Sequence, residues 1–217
     1  MAAESLYRSI REAVVAGDKA KARELANEAV SLGLDLNEVI NKGFIPGIQT
    51  VGELWAMGEY FLPELISSAE CMKASMDILQ AEMTRTRIPY KSSGKVVIGT
   101  VEGDIHDIGK NLVAAMLQAN GFEVFDLGAN VKMTKFIEKA EAEGADLICL
   151  SALLTTTMLN QRKFLEMLRE KGLRTKFKVM VGGAPASRKW ADDIGADGYA
   201  ENAAMAVKSA LTLMGRT

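Results

Sequence analysis

From residue 4 to about residue 87 the apolar positions recur every three or four residues, the spacing that puts side chains on one face of an α-helix. Leu6, Ile10 and Val14 form one such face. Asp18 reads as the N-cap of a second helix carrying Leu25 and Val30, and Gly33 as its stop. Asp35 reads as the cap of a third, with Val39 and Ile40, which Pro46 kinks or restarts ahead of Val51, Leu54 and Trp55. Pro63 suits the first turn of a fourth, long helix through Met72, Met76 and Leu79. The pattern predicts a four-helix bundle over residues 1–88.

Past 88-IPYKSSGK-95 the period changes. Five short β-rich runs, 95-KVVIGTV-101, 122-FEVFDL-127, 146-DLICLS-151, 177-FKVMVG-182 and the weak 198-GYA-200, alternate with amphipathic helical segments. Such βα units build a parallel sheet. The predicted fold class is therefore α/β with an all-α domain: the bundle, a linker at 89–95, and a flavodoxin-like, Rossmann-type sheet of five parallel strands over 96–217. The linker region contains Pro, Ser and Gly, and residues 88–95 could extend to roughly 26 Å. In this fold ligands bind beyond the carboxyl ends of the strands.

Composition narrows the function classes. Hydrophobic residues make up 48% and charged residues 25%, a soluble globular balance. The net charge is only -2 and the basic residues are scattered, which leaves no nucleic-acid footprint. The N-terminal stretch reaches charged residues too soon for a secretory signal, and the apolar run near 145-ADLICLSALL-154 is about half of the roughly 20 residues a membrane span needs. Cys71 and Cys149 lack metal-ligand spacing and read as reduced core thiols of a cytoplasmic protein. Met72, Met76 and Met83 fall at bundle-core spacing, which argues against a methionine metal site.

The chemistry concentrates in 103-GDIHDIGKN-111, which holds the chain's one histidine. The first sheet strand ends near Val101, so His106 is presented at the ligand-binding edge, and Gly109 starts or adjoins the next helix. A phosphate loop is a competing reading, because Gly99, Gly103 and Gly109 lie near a helix start. Their spacing matches neither the dinucleotide fingerprint nor the P-loop, and Lys110 is followed by Asn111 instead of Ser or Thr. Two other strand ends carry signals of their own: the polar cluster 151-SALLTTT-157, and Gly182-Gly183, where missing side chains permit close approach.

Asp104, His106 and Gly109, then Ser151 and Leu153, then Gly182 and Gly183 together resemble the cobalamin-binding signature D-x-H-x-x-G, S-x-L, G-G. The segment 51–73 is similar to the helical cap of methyl-carrying corrinoid proteins and of methionine synthase, so the resemblance spans nearly the whole chain. It implies cobalamin bound base-off and His-on, with His106 as the lower axial ligand of cobalt, Asp104 holding its other nitrogen, and Thr157 donating to Asp104. Proton movement along these three would bias cobalt between its methylated six-coordinate state and nucleophilic Co(I). The nucleotide tail would thread beside Gly182 and Gly183 with Ser151 and Thr155 as polar contacts, Leu153 would belong to the cofactor-binding residues, and Gly109 would keep the entrance clear. Asp107 reads as a solvated or helix N-terminal acid. In the cap, Trp55 and Leu62 fall where the family places apolar cover over the methyl, while Phe61 and Pro63 read as packing and helix start.

The resemblance is closest to the small corrinoid proteins of methylamine, methanol, methoxyarene and betaine demethylation. It implies a subunit that does not turn over substrate alone. A donor-specific methyltransferase, of the TIM-barrel type, would load the methyl group; a second methyltransferase would pass it to tetrahydrofolate or coenzyme M; a reductive activase would restore Co(I). Two other classes share parts of the signature: cobalamin-dependent sensors and adenosylcobalamin mutase subunits. Light-sensing members pair the cap tryptophan with a Glu-His ten residues on, where this chain has Leu65 and Ile66.

Overall fold

The computed structural model describes residues 2–88 and 92–215. The chain divides into two compact units, the second beginning at Ser92, and residues 89–91 of the expected linker lie outside the described residues.

The first unit is helical: α1 (Ala2–Val15), α2 (Lys19–Ser31), α3 (Leu36–Val39), α4 (Ile45–Ala56) and α5 (Leu62–Thr86). The predicted caps form. Asp18 accepts from the Lys21 N–H, and Asp35 from the N–H groups of Asn37 and Glu38, satisfying donors that a helix start leaves unpaired. Gly33 takes the left-handed conformation just after α2. The predicted restart falls at Pro46, which sits in the first turn of α4. Between α3 and α4 the chain widens into one π-helical stretch, Ile40–Phe44, in which the Ile45 N–H donates to Ile40 five residues back. A proline cannot donate to the carbonyl four residues before it, here Lys42, and the Arg11 guanidinium takes that carbonyl at 3.2 Å. Ile10, Val14, Phe44, Ile48, Val51, Leu65, Met72, Met76, Leu79 and Met83 are buried in this unit. Phe61 corrects an expectation: it does not pack but is 64% exposed, and its backbone N–H is capped by Glu64.

The second unit alternates β1 (Lys95–Thr100), α6 (Ile108–Ala119), β2 (Glu123–Asp126), α7 (Met133–Glu143), β3 (Leu147–Ser151), α8 (Thr155–Glu170), β4 (Lys178–Gly182), α9 (Arg188–Ile194), β5 (Gly198–Ala200) and α10 (Ala203–Leu213). All pairings are parallel and the order is β2-β1-β3-β4-β5, the flavodoxin-like order the sequence predicts. Strands lie within one residue of their predicted limits; β1, β3 and β4 carry the buried Val, Ile and Leu runs that leave little choice. On one face, Phe136 and Phe164 meet edge-to-face, with centroids 5.7 Å apart, among Val97, Ile148, Leu165 and Val179. The strand order reverses between β1 and β3, so the connections after these two parallel strands diverge and open a crevice at their carboxyl ends.

Gly99 belongs to this packing and not to a phosphate loop. A Cβ there would lie 2.8 Å from the Phe136 ring. Lys110 is likewise committed: its buried ammonium pairs with Asp126 at the end of β2. Gly99→Ala should therefore destabilise the sheet unit by about 2 kcal/mol through overpacking, measured as a lower urea midpoint with an unchanged slope.

Candidate functional site

The site grows from one buried carboxylate. Asp104, 1% exposed, lies in the loop after β1. Its Oδ1 accepts the His106 backbone N–H at 3.1 Å and the imidazole Nδ1 at 2.7 Å. Its Oδ2 accepts the N–H groups of Leu153 at 2.7 Å and Leu154 at 3.3 Å, and the Thr157 hydroxyl at 2.6 Å. A buried ionised carboxylate is tolerated only when such donors replace water. Burial pushes this carboxyl upward, but the hydrogen bonds from Thr157, Leu153 and His106 prevail and hold it well below the usual carboxylate range.

That charge fixes the histidine. An ionised carboxylate can only accept, so the Nδ1 facing it carries the proton, and the lone pair of the neutral ring resides on Nε2. The His106 side chain is 47% exposed, and Nε2 has no protein partner among the described residues. Thr157 reinforces the arrangement. Its one hydroxyl hydrogen faces both the Leu154 carbonyl at 3.0 Å and the carboxylate at 2.6 Å, and the shorter, charged acceptor takes it.

The loop itself is fastened from several sides. Buried Thr100 donates to the His106 carbonyl at 2.9 Å. Asn160 of α8 donates to the Glu102 carbonyl at 2.8 Å. Asn130, in the loop after β2, accepts the Gly103 N–H at 2.8 Å and gives its own N–H to the Asp104 carbonyl at 2.8 Å. The sequence reading did not select Thr100, Asn130 or Asn160. The left-handed conformation of Asn130 belongs to a residue type that tolerates it, and 128-GAN-130 directly after a strand was the available signal.

Around His106 lie exposed apolar groups: Ile105 and Ile108, each 76% exposed, with Leu153 at 43% and Leu154 at 44% on the β3–α8 loop. Aliphatic side chains rarely stand so far into water unless a ligand or partner covers them. Ser151 ends β3 half-buried, Thr155 opens α8 exposed, and Gly109 sits in the first turn of α6 with open space where a Cβ would point. Asp107 precedes α6, and its carbonyl accepts from Asn111. Gly182 ends β4. Gly183 has a reason for being glycine that involves no ligand: its φ is +112° and a Cβ would come within 1.8 Å of the Ala152 carbonyl. Trp55, half-buried, and Leu62, 38% exposed, belong to the helical unit, in a stretch that also exposes Met57, Phe61 and Ile66.

Both cysteines are buried and free. Burial pushes the Cys71 thiol up to about 11 and the Cys149 thiol higher still, so neither offers a thiolate at neutral pH. Among the described residues no three His, Cys, Asp or Glu side chains gather to hold a metal ion. None of the described helices is long and apolar enough to cross a membrane. What these residues would offer a bound group is one exposed imidazole nitrogen surrounded by apolar side chains.

By family the chain is a cobalamin-binding protein. Residues 94–208 match a family described as B12 binding domain, and residues 6–80 match a second family of the same description. The chain is 47% identical over 213 residues to a corrinoid protein of Desulfitobacterium hafniense strain Y51, covering 98% of this chain and 99% of that one. It is 46% identical over 204 residues to trimethylamine corrinoid protein 2 of Methanosarcina acetivorans, covering 94% of each. It also resembles, with TM-score 0.85 and 31% identity, a chain of the methanol:cobalamin methyltransferase complex of Methanosarcina barkeri, over 98% of this chain and 81% of that one. The chain belongs to the cobalamin-binding corrinoid proteins of methyltransferase systems.

Asp104→Asn should leave the sheet unit less stable at neutral pH by roughly 1–3 kcal/mol. Because the native carboxyl titrates below its ordinary value, its contribution is full above the unfolded value near 3.9 and is lost as pH falls from there toward the native value. Urea unfolding from pH 7 to pH 3 should therefore show the gap between the two proteins constant above about pH 5 and closing below about pH 4.

Proposed function

We propose that this chain is a methyl carrier that holds its corrinoid base-off, with Nε2 of His106 on the lower face of cobalt. The observation that carries the reading is the exposed imidazole whose Nδ1 is tied to a buried, ionised carboxylate at the strand-end crevice. When bound, the corrinoid supplies a cobalt centre that accepts and releases a methyl group. Asp104 keeps the proton on Nδ1 and so keeps the Nε2 lone pair available; an outer partner of this kind typically sets ligand affinity by about 10 to 100-fold. Thr157 steadies the negative charge of Asp104, and a proton gained or lost along this chain of three groups changes how strongly His106 binds. Ile105, Ile108, Leu153 and Leu154 provide apolar surface for the ring. Ser151, Leu153, Thr155, Gly182 and Gly183 receive the nucleotide tail, with Gly109 leaving the approach open. Trp55 and Leu62 of the helical unit provide the apolar cover that keeps water and oxidants from the metal.

The names of the relatives support a place in methylamine or methanol metabolism. A donor-specific methyltransferase loads the methyl group, a second methyltransferase passes it to tetrahydrofolate or coenzyme M, and a reductive activase restores the carrier, all in the cytoplasm. The chain contributes no turnover alone. The domain division that serves this is a helical cap over 1–88, a linker at 89–95 and the cobalamin-binding domain over 96–217.

His106→Ala, reconstituted with hydroxocobalamin and reduced to Co(II), should lose the imidazole nitrogen coupling that the unmodified protein shows in its EPR spectrum. His106 is the chain's one histidine, so labelling it with 15N decides the assignment: a 14N pattern that the label leaves unchanged in the unmodified holoprotein rules out His106 as the ligand. Trp55→Ala should shorten the lifetime of Co(I) in air-limited buffer severalfold; an unchanged lifetime removes the shielding role. Methyl transfer is tested by reducing the holoprotein and adding trimethylamine, dimethylamine or methanol with candidate methyltransferases. No methylated product from any pairing, with the protein fully reduced, would overturn the carrier reading.

A further inference from the structure

The β2–α7 loop contributes one residue whose bonds are all directed at the histidine-bearing loop. Asn130 stands at φ 53°, in the left-handed region. From there its Oδ1 receives the Gly103 N–H and its own N–H reaches the Asp104 carbonyl, both at 2.8 Å. Gly103 is itself left-handed, at φ +84°, so the turn leading into Asp104 is tight and its exposed N–H has Asn130 as acceptor. At the other end of the same loop Thr100 holds the His106 carbonyl. Asp104 and His106 therefore sit between two fastenings, and neither can shift along the strand direction without breaking hydrogen bonds.

We propose that Asn130 is a positioning residue for the lower axial ligand: its two-point clasp sets where Asp104 stands, and Asp104 in turn sets where Nε2 of His106 stands relative to a bound corrinoid. The inference rests on the reading of His106 as that ligand. The choice of side chain follows from geometry. The position needs a residue that accepts positive φ and carries an acceptor two bonds beyond Cβ or nearer. Asparagine and aspartate meet both demands, glycine only the first, alanine neither.

Three variants separate the demands: Asn130→Gly keeps the backbone conformation and removes the acceptor, Asn130→Ala removes both, and Asn130→Asp retains both and serves as the folding control. Each is reconstituted with hydroxocobalamin, its affinity measured by titration, and its Co(II) EPR spectrum recorded. The Gly variant should bind hydroxocobalamin about tenfold more weakly and show a reduced fraction of Co(II) with imidazole nitrogen coupling. The Ala variant should lose more of both, and the Asp variant should match the unmodified protein. A purely structural role would lower urea midpoints without changing the imidazole-coordinated fraction of the holoprotein that forms. Full coupling and affinity in the Gly variant, alongside full coupling in the unmodified protein, overturns the proposal and leaves the ligand reading intact. Absence of coupling in the unmodified protein overturns the ligand reading and the proposal with it.

Discussion

The site depends on a carboxylate that water does not reach. Asp104 is buried and ionised, a state that is costly unless donors replace the lost hydration. The donors come from both sides of the crevice: His106 from the loop after β1, Leu153, Leu154 and Thr157 from the loop and helix after β3. One anion thus ties together the two loops that diverge at the point where the strand order reverses. It also dictates the imidazole's tautomer, because a group that only accepts obliges its neighbour to donate. Structure and chemistry share the same bonds here, and a change that weakens one weakens the other.

The surrounding sheet is arranged so that these bonds can form. Thr100 and Ser151 pair across β1 and β3, and the Val101 N–H donates to the Ser151 carbonyl at 3.0 Å, which brings the two loop starts level. Behind β3 and β4, fully buried Gln161 donates to the carbonyls of Leu150 and Gly182, each at 3.0 Å, and accepts the Trp190 indole N–H at 2.9 Å. A buried amide satisfied at every strong site makes a rigid backing. Gly183 lies against the Ala152 carbonyl with no room for a Cβ, so the ends of β3 and β4 close on each other backbone to backbone. The crevice walls are fixed by polar bonds, while Ile105, Ile108, Leu153 and Leu154 are left projecting into solvent.

Much of this was legible in the chain. The change of period after residue 88, the caps Asp18 and Asp35 and the five strands follow from short-range rules, and those rules held because each segment's local preference agrees with its place in the fold. Asp104, His106 and Thr157 were legible because a spaced motif marks them, and the structure brings all three together. Three features escaped. The π-helical stretch before Pro46 is not predicted, since sequence shows that a proline removes a donor but not that Arg11, 35 positions earlier by number, reaches the carbonyl set free. Phe61 was read as packing, although its partner is Glu64 through the backbone. Gly183 has a further reason for being glycine that sequence does not show, a contact with Ala152, distant in sequence. The first and third depend on tertiary neighbours that no local window contains, whereas the Phe61–Glu64 cap is local.

Asn130, Thr100 and Asn160 were missed for a related reason, and their placement explains why the signature is short. Their bonds go to backbone atoms of Gly103, Asp104, His106 and Glu102. Any loop of the same path presents those atoms, so the side chains that hold it need not lie near the motif in sequence or belong to it. The motif residues Asp104 and His106 are constrained by their own chemistry and read as a pattern; those that hold the loop are constrained by reach alone and read as ordinary polar positions. A side chain held to a defined position needs both sets. The D-x-H spacing provides the imidazole and its proton acceptor, while the rest of the β2 and β3 loops determine where that pair stands.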